Sequence, residues 1–181
     1  MSQSYKAEFV KHYMAVLRWY KRLKIVYNPN VGNASTDENR DDVCAFFIAC
    51  FHLQDYLKKD ADFTLQNKHQ IIDGLVSSPE LNIAESFCNS TKHLILHDPT
   101  LDKNIKISRI DCTVVASLYE PITSSNSFII NSRGQYYDAL ELAKKCCLMW
   151  KDFMNLHLIP SEISRVGLDS REVKELEAEL S

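Results

Sequence analysis

Glycine and proline are scarce in this chain, with only four Gly and five Pro among 181 residues. Sandwiches and barrels of many short strands need frequent turns, so this scarcity favours long helices instead. The few glycines are also scattered, and neither G-x-x-x-x-G-K-[ST] nor G-x-G-x-x-G occurs. G-x-S-x-G and H-E-x-x-H are absent too. Nucleotide-dependent kinases and nicotinamide dehydrogenases are therefore poor candidates.

Long apolar runs and an excess of basic charge are missing as well. No run of about 18 apolar residues occurs, so we expect no membrane span. The net charge is −3, which excludes the global basic field of a generic DNA binder. No signal peptide is evident. We therefore expect a cytoplasmic protein.

Cysteine is present, but not in a C-x-x-C pair. The six cysteines are Cys44, Cys50, Cys88, Cys112, Cys146 and Cys147. An even count could form three disulfides. However, a chain with 45% hydrophobic residues can bury a core without them, so we expect buried free thiols. Cys146 and Cys147 point about 100° apart on a helix and are expected to pack in the core.

The length of 181 residues and the mass of 20.8 kDa fit one domain. Apolar residues recur at steps of four and three over residues 5–27, which predicts an amphipathic helix ending before Asn28-Pro29. A second helix should run from about Thr36 to Lys59. It is apolar on nearly all sides, which is typical of a helix in the middle of a bundle.

Two further helices, a small sheet and a last long helix follow. Residues 69–76 predict a short helix, and Ser78-Pro79-Glu80 is a strong helix start for a segment that should reach about Leu96. Period-two alternation between 104 and 137 predicts an antiparallel meander of two or three strands. Asp138-x-x-Glu141 then predicts the start of the last long helix, which should end near Pro160.

The predicted fold is therefore mainly α. It is a bundle of four to five main helices in one domain over residues 1–160, with the β-meander before the last long helix. Residues 161–181 are predicted to form a polar, acidic tail with a short helix at 170–180.

Two polar groups of side chains stand out on otherwise apolar helices. His52 and Asp55 are three residues apart and share one helical face. The second group lies on the 79–96 helix and consists of Asn82, Ser86, Asn89, Lys92 and His93. If the two helices pack together, histidines, a carboxylate, an amide and an ammonium group would converge. Such a set suits acid–base chemistry on a phosphate.

Simpler interpretations compete with this one. The His52–Asp55 pair can be an ordinary surface hydrogen bond, and the second group can be the solvent face of an amphipathic helix. A zinc site from His52, Asp55 and His93 would lack a clear fourth ligand, so no metal or other cofactor is predicted. Trp19 and Trp150 are expected in the core or an interface.

The segments F-H-L-Q-D-Y-L and C-N-S-T-K-H, together with the predicted order of elements over residues 5–157, resemble the HEPN superfamily of helical nucleotide-binding domains. The resemblance is closest to bacterial members with an inserted β-hairpin. It implies a metal-independent endoribonuclease motif, in which Asn89 matches the polar residue and His93 the histidine. The motif's arginine position is occupied by Cys88.

The resemblance implies an RNA-directed protein of a toxin–antitoxin or phage-defence system, working as a homodimer with RNA, a nucleotide or an antitoxin as partner. His93 would act as acid and base, Asn89 would bind phosphate or ribose, and Lys92 would stabilise charge. His52 and Asp55 would assist from the neighbouring helix, and Asn82 and Ser86 would contact the RNA. The alternative is a non-catalytic dimeric module that binds a nucleotide or a partner protein.

Overall fold

A computed structural model of the chain describes residues 6–28, 36–92, 102, 104–115 and 123–181. The side chains of residues 91–92, 112–115 and 123–124 are not among the described features. The main helices are α1 (Glu8–Val26), α2 (Thr36–Lys59), α3 (Lys68–Val76), α4 (Pro79–Lys92) and α5 (Ala139–His157). Strands β1 (Lys106–Val115), β2 (Thr123–Ser132) and β3 (Gln135–Asp138) precede α5. The predicted fold class, mainly α with a small antiparallel sheet before the last long helix, is confirmed.

Helix α1 buries the face that its sequence period predicts. Phe9, Tyr13, Val16 and Leu23 have no exposed surface, and Tyr20 is 3% exposed. Fully burying such a side chain stabilises the fold by about 1.5–3 kcal/mol. Helix α1 packs mainly against α2 and also contacts α5 and β2.

Helix α2 runs through the middle of the bundle, as its apolar composition predicts. It contacts α1, α3, α4, α5 and β2. Phe46, Phe47 and Leu53 are fully buried. The ring of Phe47 lies 5.5 Å from that of Phe87 on α4. The part of α2 that these neighbours leave open carries exposed polar side chains such as that of Tyr56.

The sheet has the order β1-β2-β3, and both pairings are antiparallel. Arg133 and Gly134 both have positive φ, which is typical of the two-residue turn that joins β2 to β3. Asp138 ends β3, and its carboxylate accepts hydrogen bonds from the N–H groups of Leu140 and Glu141. The predicted cap of α5 is therefore confirmed at Asp138.

The C-terminal segment packs against the bundle through two short helices, α6 (Pro160–Val166) and α7 (Arg171–Glu177), and a 3₁₀ turn (Ala178–Leu180). The short helix predicted at 170–180 corresponds to α7 and this turn. Val166, Val173 and Leu180 are buried. The Tyr13 hydroxyl of α1 donates to Glu177 at 2.9 Å. The segment is polar on its outer side only, and its apolar side covers α1.

The described cysteines are free thiols, and Cys50, Cys88, Cys146 and Cys147 are buried. Cys112 lies outside the described side chains. Burial raises the pKa of the Cys147 thiol, and the pKa of Cys146 is raised first by its hydrogen bond with Cys50 and then by burial. Both thiols are therefore unreactive packing groups.

No helix in the described ranges is long and apolar enough to cross a membrane.

Candidate binding cleft

A cleft of about 780 Å³ opens between α1, the C-terminal half of α2 and the loop that follows α2. We call it the α1–α2 cleft. It is lined by Glu8 and His12 from α1, by His52, Asp55, Tyr56 and Lys59 from α2, and by Asp60 and Ala61 from the loop. The pair predicted from the sequence, His52 and Asp55, thus lies in a concave site of a size typical of ligand pockets.

His52 is oriented by hydrogen bonds on both sides of its ring. Its Nδ1 lies 2.9 Å from Oδ2 of Asp55, and its Nε2 lies 3.7 Å from Sγ of Cys88. The two side chains of the pair are 31% and 46% exposed. A carboxylate beside one ring nitrogen fixes the tautomer and orientation of a histidine. The pair is therefore accessible from the cleft, and its contact with Cys88 ties it to the neighbouring helix.

Cys88 connects α4 to this pair. Its side chain is fully buried, as its place on the apolar face of α4 predicts. The contact with His52 brings the pair on α2 next to the start of the C-N-S-T-K-H segment. A thiol at this point gives van der Waals contact and a weak hydrogen bond but, unlike an arginine, no positive charge.

The other predicted residues of α4 differ in their surroundings. Ser86 is fully buried, and its hydroxyl accepts a hydrogen bond from the N–H of Asp102 at 3.0 Å. Asn82 and Asn89 are partly exposed and are absent from the lining of the cleft. The Lys92 side chain and the whole of His93 lie outside the described residues, so the predicted meeting of His52 with His93 stays a prediction.

His12 and Tyr56 belong to the cleft but were not singled out from the sequence. Their rings stack at 4.1 Å with an interplanar angle of 14°. Nε2 of His12 lies 2.9 Å from the carbonyl oxygen of Ala49, so this nitrogen carries the proton and donates it. The partner is 37 positions away in the sequence, which is why no local pattern could identify this histidine.

The geometry predicts that His12 titrates below the usual histidine value of 6.5. Burial is the largest cause of its lowered pKa and His52 adds to it, while the bond to Ala49 and the charge of Asp55 oppose it. As the pH falls below 6.5, unfolded His12 takes up a proton before folded His12 does. The stability that neutral His12 contributes is therefore lost as the pH falls from 6.5 through its folded pKa. An NMR titration of the ring should show this shift, and a pKa at or above 6.5 would contradict it.

Asp60 lines the cleft and also caps α1. Its Oδ2 accepts the N–H of Phe9 at 3.0 Å, and its Oδ1 accepts the N–H of Asp62 at 2.9 Å. Ala7 at the N-cap position of α1 offers no side-chain acceptor. The loop after α2 therefore supplies the capping group that the start of α1 lacks.

We expect Asp60→Ala to reduce the free energy of unfolding by about 0.5–2 kcal/mol, the usual cost of a lost N-cap. Asp60→Asn keeps one oxygen acceptor and should lose less. Urea denaturation of both variants measures the difference. Equal stability of Asp60→Ala and the wild type would show that the contact with Phe9 contributes nothing.

Within the ranges that the structure describes, no group of three or more His, Cys, Asp or Glu side chains is arranged to hold a metal ion. No protein-family model, curated protein or solved structure matches the chain. The chemistry of the cleft itself is thus the basis on which a function can be assigned.

Proposed function

We propose that this protein is a non-catalytic, cytoplasmic helical module that binds a partner protein through the α1–α2 cleft, in the dimeric form that the HEPN resemblance implies. The observation that carries the proposal is the charge of the cleft. Glu8, Asp55 and Asp60 contribute three carboxylates against the one ammonium group of Lys59. The formal charge of the lining residues is therefore −2 while both histidines are neutral, and it becomes −1 when Lys11, which forms an ion pair with Glu8, is counted.

This charge disfavours an anionic ligand. A phosphate about 4 Å from a carboxylate is repelled by about 1 kcal/mol in bulk water, and by about 4 kcal/mol at an effective dielectric constant near 20. The position where a HEPN nuclease would supply an arginine holds the buried thiol of Cys88. These two facts favour a partner protein over a nucleotide or RNA as the occupant of the cleft.

Site-specific photo-crosslinking tests the proposal. Ala61, an exposed residue of the cleft lining, would be replaced by p-benzoylphenylalanine in cells that produce the protein, with the same replacement at Tyr136 as control. Tyr136 is 69% exposed, lies on β3 and is absent from the lining of the cleft. We expect one discrete, protease-sensitive adduct from position 61 and none from position 136. An adduct that ribonuclease removes, or no discrete adduct, would overturn the proposal.

A second candidate function is the metal-independent endoribonuclease that the HEPN resemblance implies. It is favoured by the contact of 3.7 Å between His52 and Cys88, because Cys88 begins the C-N-S-T-K-H segment. His52, oriented by Asp55, would then assist His93 in moving protons during attack of the RNA's 2′-hydroxyl. Asn89 and Lys92 would contact the scissile phosphate.

An RNA cleavage assay in the presence of a chelator distinguishes the two candidates. The variants are His93→Ala and His52→Ala, with His69→Ala as control because His69 is exposed on α3. Cleavage by the wild type that leaves 2′,3′-cyclic phosphate ends, and that falls at least tenfold in the first two variants only, would establish the nuclease. The binding module predicts no cleavage by any of the four proteins.

A further inference from the structure

The carboxylates of the cleft differ in how much of their hydrogen-bonding capacity is already used. Both oxygens of Asp60 accept backbone N–H groups. Asp55 binds His52 through one oxygen and remains 46% exposed. Glu8 is 68% exposed, and its Oε1 forms an ion pair with Lys11. Asp55 and Glu8 can therefore accept further hydrogen bonds from a ligand, whereas Asp60 mainly adds negative charge.

The aromatic ring of Tyr56 lines the same cleft as these carboxylates. His12 covers one face of the Tyr56 ring, and Tyr56 is nevertheless 41% exposed. A cation placed over the face of a tyrosine ring is attracted by the ring's negative electrostatic potential. The combination of an open aromatic ring and partly unused carboxylates is thus complementary to a flat or compact organic cation.

A metal ion fits this arrangement less well than an organic cation. Hard metal ions need several oxygen ligands at short, fixed distances, and the described side chains of the cleft do not form such a group. A guanidinium group, by contrast, offers five N–H donors in a plane that can stack on an aromatic ring. The volume of about 780 Å³ also leaves room for a long side chain.

We infer that the α1–α2 cleft receives an arginine side chain of the partner, with its guanidinium group over Tyr56 and hydrogen-bonded to Asp55 and Glu8. This inference rests on the proposed function, since it names the group by which the partner is anchored. The long apolar stem of arginine would lie along the cleft. Lys59, at the C-terminal end of α2, keeps the site from being uniformly acidic.

The test uses the full chain and two small probes of matched shape. N-acetyl-arginine methylamide carries the guanidinium, and N-acetyl-citrulline methylamide replaces it with a neutral urea group. Binding would be followed by NMR at the backbone amides of residues 52–60. We expect the arginine probe to bind at least tenfold more tightly than the citrulline probe, and its affinity to fall as salt is raised.

Variants of Asp55 and Tyr56 test whether these side chains bind the arginine probe. Asp55→Asn and Tyr56→Leu should each weaken the arginine probe at least fivefold. Asp111→Asn, which removes an exposed carboxylate on β1, should leave its affinity unchanged. Equal binding of the two probes, no binding of either, or an unchanged affinity in both cleft variants would overturn the inference. The photo-crosslinking at Ala61 leaves Asp55 and Tyr56 in place, so an adduct there with no preference for arginine would refute only the anchoring group.

Discussion

Replacing Val173 with Asp should reduce the free energy of unfolding by about 3–5 kcal/mol, the usual cost of an unpaired buried charge. Val173 lies on α7 and has no exposed surface. The helix packs on α1, and the hydrogen bond from Tyr13 to Glu177 joins the same two helices. The aspartate would not make the apolar contacts of the valine. Its carboxylate would also be transferred from water into the core without a cationic partner.

Lys174→Asp is the control for this prediction. Lys174 follows directly on the same helix and is exposed, so its replacement should change stability by no more than about 0.5 kcal/mol. The control changes the net charge by two units, and Val173→Asp changes it by only one. A larger loss of stability in Val173→Asp therefore cannot be attributed to the change in net charge. Chemical denaturation measures both variants. If they lose the same amount of stability, α7 does not form part of the core.

The polar ion pairs of the C-terminal segment cannot replace this packing. Lys6 pairs with Glu172 at 2.7 Å, and Lys24 pairs with Glu179 at 3.0 Å. Glu172 and Lys24 are 62% and 40% exposed, and pairs with a partner so open to water contribute only about 0–1 kcal/mol each. The acidic composition that makes residues 161–181 look like a tail in the sequence therefore describes the outer side of the segment. The packing of the segment depends on a few apolar side chains, which have little effect on its overall composition.

The elements of this fold that could be predicted are those that local patterns specify. The stripe on α1 and the cap at Asp138 depend on residues within a few positions of one another. The same holds for the period-two pattern of β1 and β2. The pairing of His52 with Asp55 was predictable for the same reason, because its two members are one helical turn apart.

The rest of the cleft depends on contacts between distant parts of the chain. His12 is held by the carbonyl of Ala49, and α1 is capped by Asp60, 51 positions after Phe9. Ser86 belongs to a polar stripe in the sequence, yet it is fully buried, and its hydroxyl accepts a hydrogen bond from the N–H of Asp102, 16 positions away. No periodicity contains such information, and only the packing of the helices reveals which polar residues share a site.

Trp150 should show a large difference between two replacements. Its side chain on α5 is fully buried and meets the ring of Phe153 edge-on at 6.1 Å. Among the described residues, its indole N–H finds no hydrogen-bond acceptor. We expect Trp150→Ala to cost about 3–5 kcal/mol through the cavity it leaves. Trp150→Phe should cost about 2 kcal/mol or less, because the lost ring volume is offset by removal of an unsatisfied donor.

The stability of both variants can be measured by urea denaturation and compared with that of Trp19→Phe. Trp19 is half-buried, and the guanidinium of Arg22 lies 4.6 Å from its ring centre. A phenylalanine there keeps the aromatic face that the cation contacts, so its cost should be small. If Trp150→Phe proved as destabilising as Trp150→Ala, the indole N–H would have to bind a group that contributes substantially to stability. The core of α5 would then contain a polar interaction in addition to its apolar packing.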